Sequence, residues 1–266
     1  MDQAILQPFV EGRLNYADPA FTDPLLYDHG HTNLELDTRV MPIHDGRAAG
    51  AAFSIERNGF RLVRSPVDLS FGDLGQAVAH AYRHHTRMLV KALTHASRAL
   101  VINEIVRREN EPGADQPYFH VHVDSDLDSV RAGVRSVHPD ADALLEKRFA
   151  LINVWRPMAP VERTPLAVCD ASTVRREDLV GGHVDTGQAD PDRLQTVTAY
   201  ALTYSPRHRW WYFPQMRPDE ALVFKLADSD PDAVQFTAHA AFDDPRSPAD
   251  AQPRQSIETR VVAFFD

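Results

Sequence analysis

A single cysteine, Cys169, stands in the whole chain, so no intramolecular disulfide can form. A reducing, cytoplasmic setting is the expectation. No apolar run approaches the roughly 20 residues that a membrane-spanning helix needs. The opening residues Met1–Ile5 carry neither the basic stretch nor the apolar core of a secretory signal. An excess of positive charge is missing too: 28 Lys and Arg face 38 Asp and Glu, for a net charge of −10. The cations are scattered rather than gathered in a stripe, which argues against a nucleic-acid partner. Internal repeats, low-complexity segments and composition breaks are absent as well. The absences leave a folded protein that works on something small, alone or as a homo-oligomer.

What is present favours strands. The chain has 266 residues and 19 prolines, most of them in connecting segments. Turn chemistry at Asp18-Pro19 and at Thr22–Pro24 marks residues 1–48 as an extended lead-in. Asn58-Gly59 inside the alternating stretch Ser54–Val63 suggests a hairpin. Residues 68–94 read as a helix, with Asp73 as its cap and Leu74, Val78, Ala81, Tyr82, His85, Met88, Leu89, Ala92 and Leu93 at helical spacing. Short apolar segments then recur: 99–107, 118–123, 150–155, 165–170, 197–204, 209–213, 221–226, 236–241 and 256–265. The segments 197–204 and 209–213 invite pairing about the intervening turn. A loop or helix at 126–136 and a short helix at 139–149 interrupt them. This pattern predicts a mainly β protein with flanking helices, built on a jelly-roll, cupin-like double-stranded β-helix. We read it as a single domain over 1–266, with a lead-in, hairpin and helix over 1–98 and the jelly-roll core over 99–266.

The segment Tyr118–Asp124 carries the chemistry. Residues two apart on a strand project to one face, so His122 and Asp124 present an imidazole and a carboxylate together. A His-x-Asp pair alone is often coincidence. A second histidine would complete two imidazoles and one carboxylate on one side of an ion, the open facial triad of non-haem Fe(II) oxygenases. His239, in another apolar segment far along the chain, is the candidate. His120 shares the face of His122 and competes as a ligand or borders the site.

Arg254 and Ser256 follow His239 and again share a strand face. Arginine grips a carboxylate with two parallel hydrogen bonds, and Ser256 adds a hydroxyl. The order His-x-Asp, His, Arg-x-Ser suits an Fe(II)/2-oxoglutarate oxygenase, with the arginine on the distal carboxylate of the oxo acid and O2 as the other substrate. Arg156 and Arg260 are rival anchors; Arg260 lies too far along the strand from Arg254 and reads as a structural ion pair. Asn153 and Trp155 share a face that either packs the core or lines the cosubstrate pocket. Trp210 is a core or rim aromatic with a possible substrate contact. Cys169 reads as an inert buried thiol.

Six blocks resemble signature blocks of the CmcJ/NvfI-like family: Asn153–Pro157, Pro165–Asp170, His208–Pro214, Pro218–Lys225, Phe236–Pro245 and Pro253–Arg260. The family includes cephem methoxylase subunits, gibberellin-desaturase-like proteins and fungal secondary-metabolite hydroxylases and desaturases. The resemblance spans about Tyr118 to Phe265 and is specific in combination. It implies His122 and Asp124 as the paired iron ligands, His239 as the distal one and Arg254 as the oxo-acid anchor. The family often reads His-x-Asp-Tyr-Thr, whereas Ser125 and Asp126 follow Asp124 here. Those two residues border the expected substrate pocket.

The expected function is hydroxylation, desaturation or cyclisation of a small molecule, a secondary metabolite or an amino-acid derivative, with Fe(II), 2-oxoglutarate and O2. Two alternatives stay open: a non-catalytic cupin-like accessory subunit, and an iron dioxygenase that does not use the oxo acid.

Overall fold

Segments that are apolar on both faces can only sit at the centre of a sheet, and two of them do so here. The computed structural model describes residues 8–21, 27–28, 31–49, 53–67, 76–184 and 197–266. In chain order the strands are β1 (Phe9–Ala17), β2 (Tyr27–Asp28), β3 (His31–Thr32), β4 (Leu36–Asp45), β5 (Phe60–Arg64), β6 (Arg98–Arg108), β7 (His122–Val123), β8 (Phe149–Pro157), β9 (Leu166–Cys169), β10 (Leu179–Val184), β11 (Val197–Leu202), β12 (Trp210–Tyr212), β13 (Glu220–Asp228), β14 (His239–Ala241) and β15 (Gln255–Phe264). Helices α1 (Gln76–Thr94), α2 (Leu127–Val137) and α3 (Ala141–Leu145) flank them. An eight-stranded sheet runs β1-β4-β12-β9-β14-β7-β11-β10, and a five-stranded sheet runs β5-β13-β8-β15-β6. The strands β8 and β13, buried along almost their whole length, are interior in the smaller sheet. The expected mainly β, jelly-roll-like architecture of two sheets with flanking helices is what forms.

Alternation along the smaller sheet decides what faces the site. On β8, Leu151 and Trp155 join the core between the sheets with Leu222, Phe224 and Leu226 of β13 and Val262 and Phe264 of β15. Their neighbours Ile152, Val154, Val223 and Val261 face the other way, where Val90, Leu89 and Leu93 of α1 cover them. Helix α1 buries Tyr82, Thr86 and Val90, while Met88, expected on its apolar stripe, is exposed. The proposed cap Asp73, with Leu74, lies outside the described residues.

The larger sheet curls back on itself. Strand β1 pairs with β4 on one side, and on the other it bridges Asn15 to His120 and Ala17 to Thr203. Asn15 accepts from the Val121 amide at 2.7 Å through its carbonyl and donates its side-chain amide to Phe119 O at 3.1 Å. The concave interior is packed with Leu14, Tyr16, Ile43, Val123, Cys169, Trp210, Tyr212 and Phe242. The supposed lead-in is thus part of the scaffold. A boundary at 98/99 separates no sheet, because β1 and β4 belong to the larger one and β5 to the smaller. The turn at Thr22–Pro24 falls outside the described residues.

Three other local expectations change. Asn58-Gly59 does not close a hairpin: the Asn58 amide bonds back to Ser54 O in a turn, and β5 pairs with β13 instead. Gly59 sits at φ +85°, and a Cβ there would collide with Thr237 Oγ1, so the position needs glycine for conformation and for space. Strands β11 and β12 do not pair with each other; β11 lies between β7 and β10, and β12 between β4 and β9. The strand expected over 118–123 shrinks to His122–Val123, its earlier residues being held by β1.

Candidate metal centre

His122 of β7 and His239 of β14 are direct cross-strand partners. Facing residues on adjacent strands share a side, so distant parts of the chain deliver two imidazoles to one spot. Their ring centroids are 4.3 Å apart. His122 Nδ1 donates to His120 O at 2.8 Å, and His239 Nδ1 donates to Thr237 O at 3.1 Å. A carbonyl can only accept, so each Nδ1 carries a hydrogen, and in the neutral ring this tautomer leaves the Nε2 lone pair free for a metal. Both Nε2 atoms lie near Asp124: His122 Nε2 is 3.6 Å from its Oδ1 and His239 Nε2 is 3.4 Å from its Oδ2. One donor atom from each of His122, Asp124 and His239 lies within 4.8 Å of the others, and all three residues are buried.

The electrostatics favour ligation. Burial, reinforced by His239, pushes the His122 imidazolium down to about 4, so the ring stays neutral at physiological pH. Burial raises the Asp124 carboxyl, but Arg260 and then His239 outweigh it and hold the group ionised, well below the usual carboxylate range. Asp124 Oδ2 has no hydrogen-bond partner among the described residues.

Across from the triad, β8 and β15 present a second polar group. The pairing sets Trp155 opposite Glu258 and Asn153 opposite Arg260. Among the buried polar atoms without a partner in the described residues are Asn153 Oδ1 and Nδ2, Trp155 Nε1, Ser256 Oγ, Arg254 Nε and Arg260 Nε, all on this face. Arg254 has no salt bridge among the described residues; its Nη1 donates to Thr164 O at 2.9 Å and its guanidinium lies 5.5 Å from the Trp155 ring centroid. Burial lowers this guanidinium to about 10, with Glu258 partly offsetting. A buried polar atom left unpaired costs about 1–3 kcal/mol, and more when charged. So dense a group beside a metal-competent triad has the chemistry to receive an oxygen-rich anion. Two imidazoles and one carboxylate match a divalent iron centre with open positions, and the buried arginine matches a dicarboxylate.

Comparison with known proteins agrees. An oxidoreductase/YMDC permease-like domain family matches residues 14–264. The chain is 30% identical to hydroxylase/desaturase efuI of Hormonema carpetanum, across 100% of this chain and 98% of that one. It is 32% identical to the Fe(II)/2-oxoglutarate-dependent dioxygenase nvfI of Aspergillus novofumigatus, across 83% of this chain and 81% of the relative. The solved iron and alpha-ketoglutarate-dependent endoperoxidase NvfI superposes with a TM-score of 0.86 at 27% identity, covering 97% and 98% of the two chains. The chain belongs to this family of Fe(II)/2-oxoglutarate-dependent oxygenases.

Several other residues singled out in this oxygenase lie elsewhere. Arg156 is on the far face of the smaller sheet, where its guanidinium donates to Ser65 O at 2.7 Å and Ser65 Oγ at 2.8 Å. Its position in β8, one after Trp155, turns it toward α1, away from the face of Asn153 and Trp155, so the expected place among the anchors is corrected. Trp210 is buried inside the curled sheet and donates to Tyr16 Oη at 2.7 Å. Its neighbour Trp211 is the one that turns toward the core between the sheets. His120 is buried 4.9 Å, ring to ring, from His122 and offers that residue its carbonyl, but it is not among the three clustered donors. Ser125 and Asp126 line a cavity of about 420 Å³ with Tyr200, Leu226 and Phe236. The Asp126 carboxylate also caps α2 through the Ser129 amide at 2.8 Å.

Sequence reading passed over the residues that brace Arg254. Glu109 Oε2 accepts from the Arg254 amide at 2.8 Å, and its Oε1 accepts from Thr164 Oγ1 at 2.9 Å. Thr164, the carbonyl partner of Arg254, sits at φ +52°, a strained conformation for a β-branched residue. Arg107 and Glu258 form a buried pair at 2.6 Å, with Tyr118 stacked over the guanidinium at 4.2 Å. The alternation that singled out Arg254 and Ser256, continued along β15, also reaches Glu258 and Arg260. Nothing in the local pattern around Glu109 marks it.

Proposed function

We propose that this oxygenase hydroxylates, desaturates or cyclises a small secondary metabolite or amino-acid derivative, with His122, Asp124 and His239 holding iron and with Arg254 and Ser256 holding the distal carboxylate of 2-oxoglutarate. The supporting observation is the convergence of three metal-competent donors opposite a buried arginine that has no salt bridge among the described residues, with its orphaned polar neighbours. Bound iron and oxo acid supply dioxygen activation, coupled to oxidative decarboxylation to succinate and carbon dioxide, with enough oxidising power to remove hydrogen from a C–H bond. The chain's own part is positioning. His120 O and Thr237 O fix the imidazole tautomers; Trp155 supports the Arg254 guanidinium; Asn153 offers a donor and an acceptor between the sheets. Phe224, 4.8 Å from the His239 ring, and its apolar neighbours keep water out. The cavity beside Ser125 and Asp126 is the substrate entrance in this reading. A non-catalytic role draws no support from relatives named as hydroxylases, desaturases and dioxygenases.

The test is anaerobic titration of 2-oxoglutarate into the Fe(II)-loaded protein, followed by oxygen-dependent succinate formation. Binding and turnover are expected, with iron binding lost in His122→Ala. A protein that takes up iron but shows no affinity for the oxo acid would sink the cosubstrate assignment and leave an iron dioxygenase of another kind.

A further inference from the structure

The carboxylate of Asp124 is held from the opposite sheet by a residue that the triad does not include. Arg260 Nη2 lies 3.1 Å from Asp124 Oδ1. Arg260 is on β15, opposite Asn153 of β8, and the pairing of β15 with β6 shifts register between Arg260 and Val261. The extra residue is Ile102 of β6, so the alternation of β15 that turns Arg260 to the site face runs unbroken. The contact spans the two sheets and falls on one oxygen of a buried carboxylate. The other oxygen, Oδ2, has no hydrogen-bond partner among the described residues and faces His239 Nε2 at 3.4 Å. A carboxylate free to turn can chelate an ion through both oxygens and occupy a position that the oxo acid or dioxygen requires. A guanidinium fixed on Oδ1 leaves Oδ2 as the ligand. The geometry points to Arg260 as a positioning residue that holds Asp124 in single-oxygen coordination and so sets iron affinity and the number of open positions.

This inference rests on the proposed iron site and gives Arg260 a role distinct from the oxo-acid anchor. Arg254 serves the cosubstrate from further along the same strand face; Arg260 serves the metal ligand itself. Loss of such an outer partner typically costs about 10- to 100-fold in metal affinity.

The experiment measures anaerobic Fe(II) affinity, the visible charge-transfer band of the Fe(II)–2-oxoglutarate complex, and unfolding temperature without metal. It does so for the wild type, His122→Ala, Arg260→Gln and Arg260→Lys. Expected are tight iron binding by the wild type and none by His122→Ala. Arg260→Gln is expected to bind iron about 10- to 100-fold more weakly and to show a shifted band. Arg260→Lys falls between, because an ammonium keeps the charge but not the reach and planarity of the guanidinium. A folded Gln variant with wild-type affinity and an unchanged band overturns the inference. If the Gln variant does not fold, the Lys variant carries the test, and wild-type affinity there overturns it equally. Failure of the wild type to bind iron at all would instead overturn the proposed site.

Discussion

Two buried polar clusters in this protein look alike by composition and differ in satisfaction. Inside the curled sheet, Tyr16 Oη accepts from Trp210 Nε1 at 2.7 Å and lies 3.3 Å from His208 Nδ1, while His208 Nε2 is 3.3 Å from Asp178. Arg207 closes the network on Asp178 at 3.0 Å. Between the sheets, Asn153, Trp155, Ser256, Arg254 and Asp124 are equally dry and carry orphaned atoms. Burial of polar atoms is costly either way, and the first cluster offsets it within itself. The second leaves the offset to a ligand. An incomplete network beside three metal-competent donors reads as a site, whereas a lone orphan such as Tyr212 Oη inside the curled sheet does not.

The comparison breaks if the clusters respond alike to mutation. The largest expected effect is on iron: Asp124→Ala should abolish Fe(II) retention and succinate formation, read by metal content after anaerobic loading, while the protein stays folded. Next is Arg254→Ala. Removing one partner of a buried charge pair costs about 2–5 kcal/mol, so KM for 2-oxoglutarate should rise by about 30-fold or more. Because Arg254 has no salt bridge among the described residues, thermal stability of the ligand-free protein should fall little; a large drop in unfolding temperature with unchanged KM would reverse the assignment. Tyr16→Phe should do the opposite. It strands Trp210 Nε1 and should cost about 1–3 kcal/mol in denaturant unfolding, with KM for the oxo acid unchanged. The smallest effect belongs to Ser256→Ala, which removes one hydroxyl worth about 0.5–1.5 kcal/mol and should raise the same KM by about 2- to 10-fold.

The donors were legible in sequence because strand alternation is a local rule. His122 with Asp124, and Arg254 with Ser256, needed only the period of two, and the segment bearing His239 needed only its apolar character. Orientation was harder. Arg156 and Trp155 are adjacent, and only the register of β8 between β13 and β15 shows that one faces the site and the other α1. Trp210 and Trp211 pose the same problem, settled by the pairing of β12 with β9. Non-local closure was not legible at all. No pattern in residues 9–17 says that this stretch will bridge to His120 and Thr203, and the spacing around Glu109 does not foretell a grip on Arg254. Arg260 shows the mixed case: its face followed from alternation and its ion pair was expected, but the partner, a candidate iron ligand on the opposing sheet, came from three-dimensional closure.

The two-residue strand β7 is too short to stand by its own ladder. What steadies it is a strap from the far end of the polypeptide, the Asn15 grip on Phe119 and Val121. Cutting the chain past that asparagine would also strip Val10 and Leu14 from the core, so Asn15→Ala, which severs only the side-chain hold on Phe119 O, is the gentler cut and should leave the candidate ligand His122 on a looser thread, felt as leakage of iron.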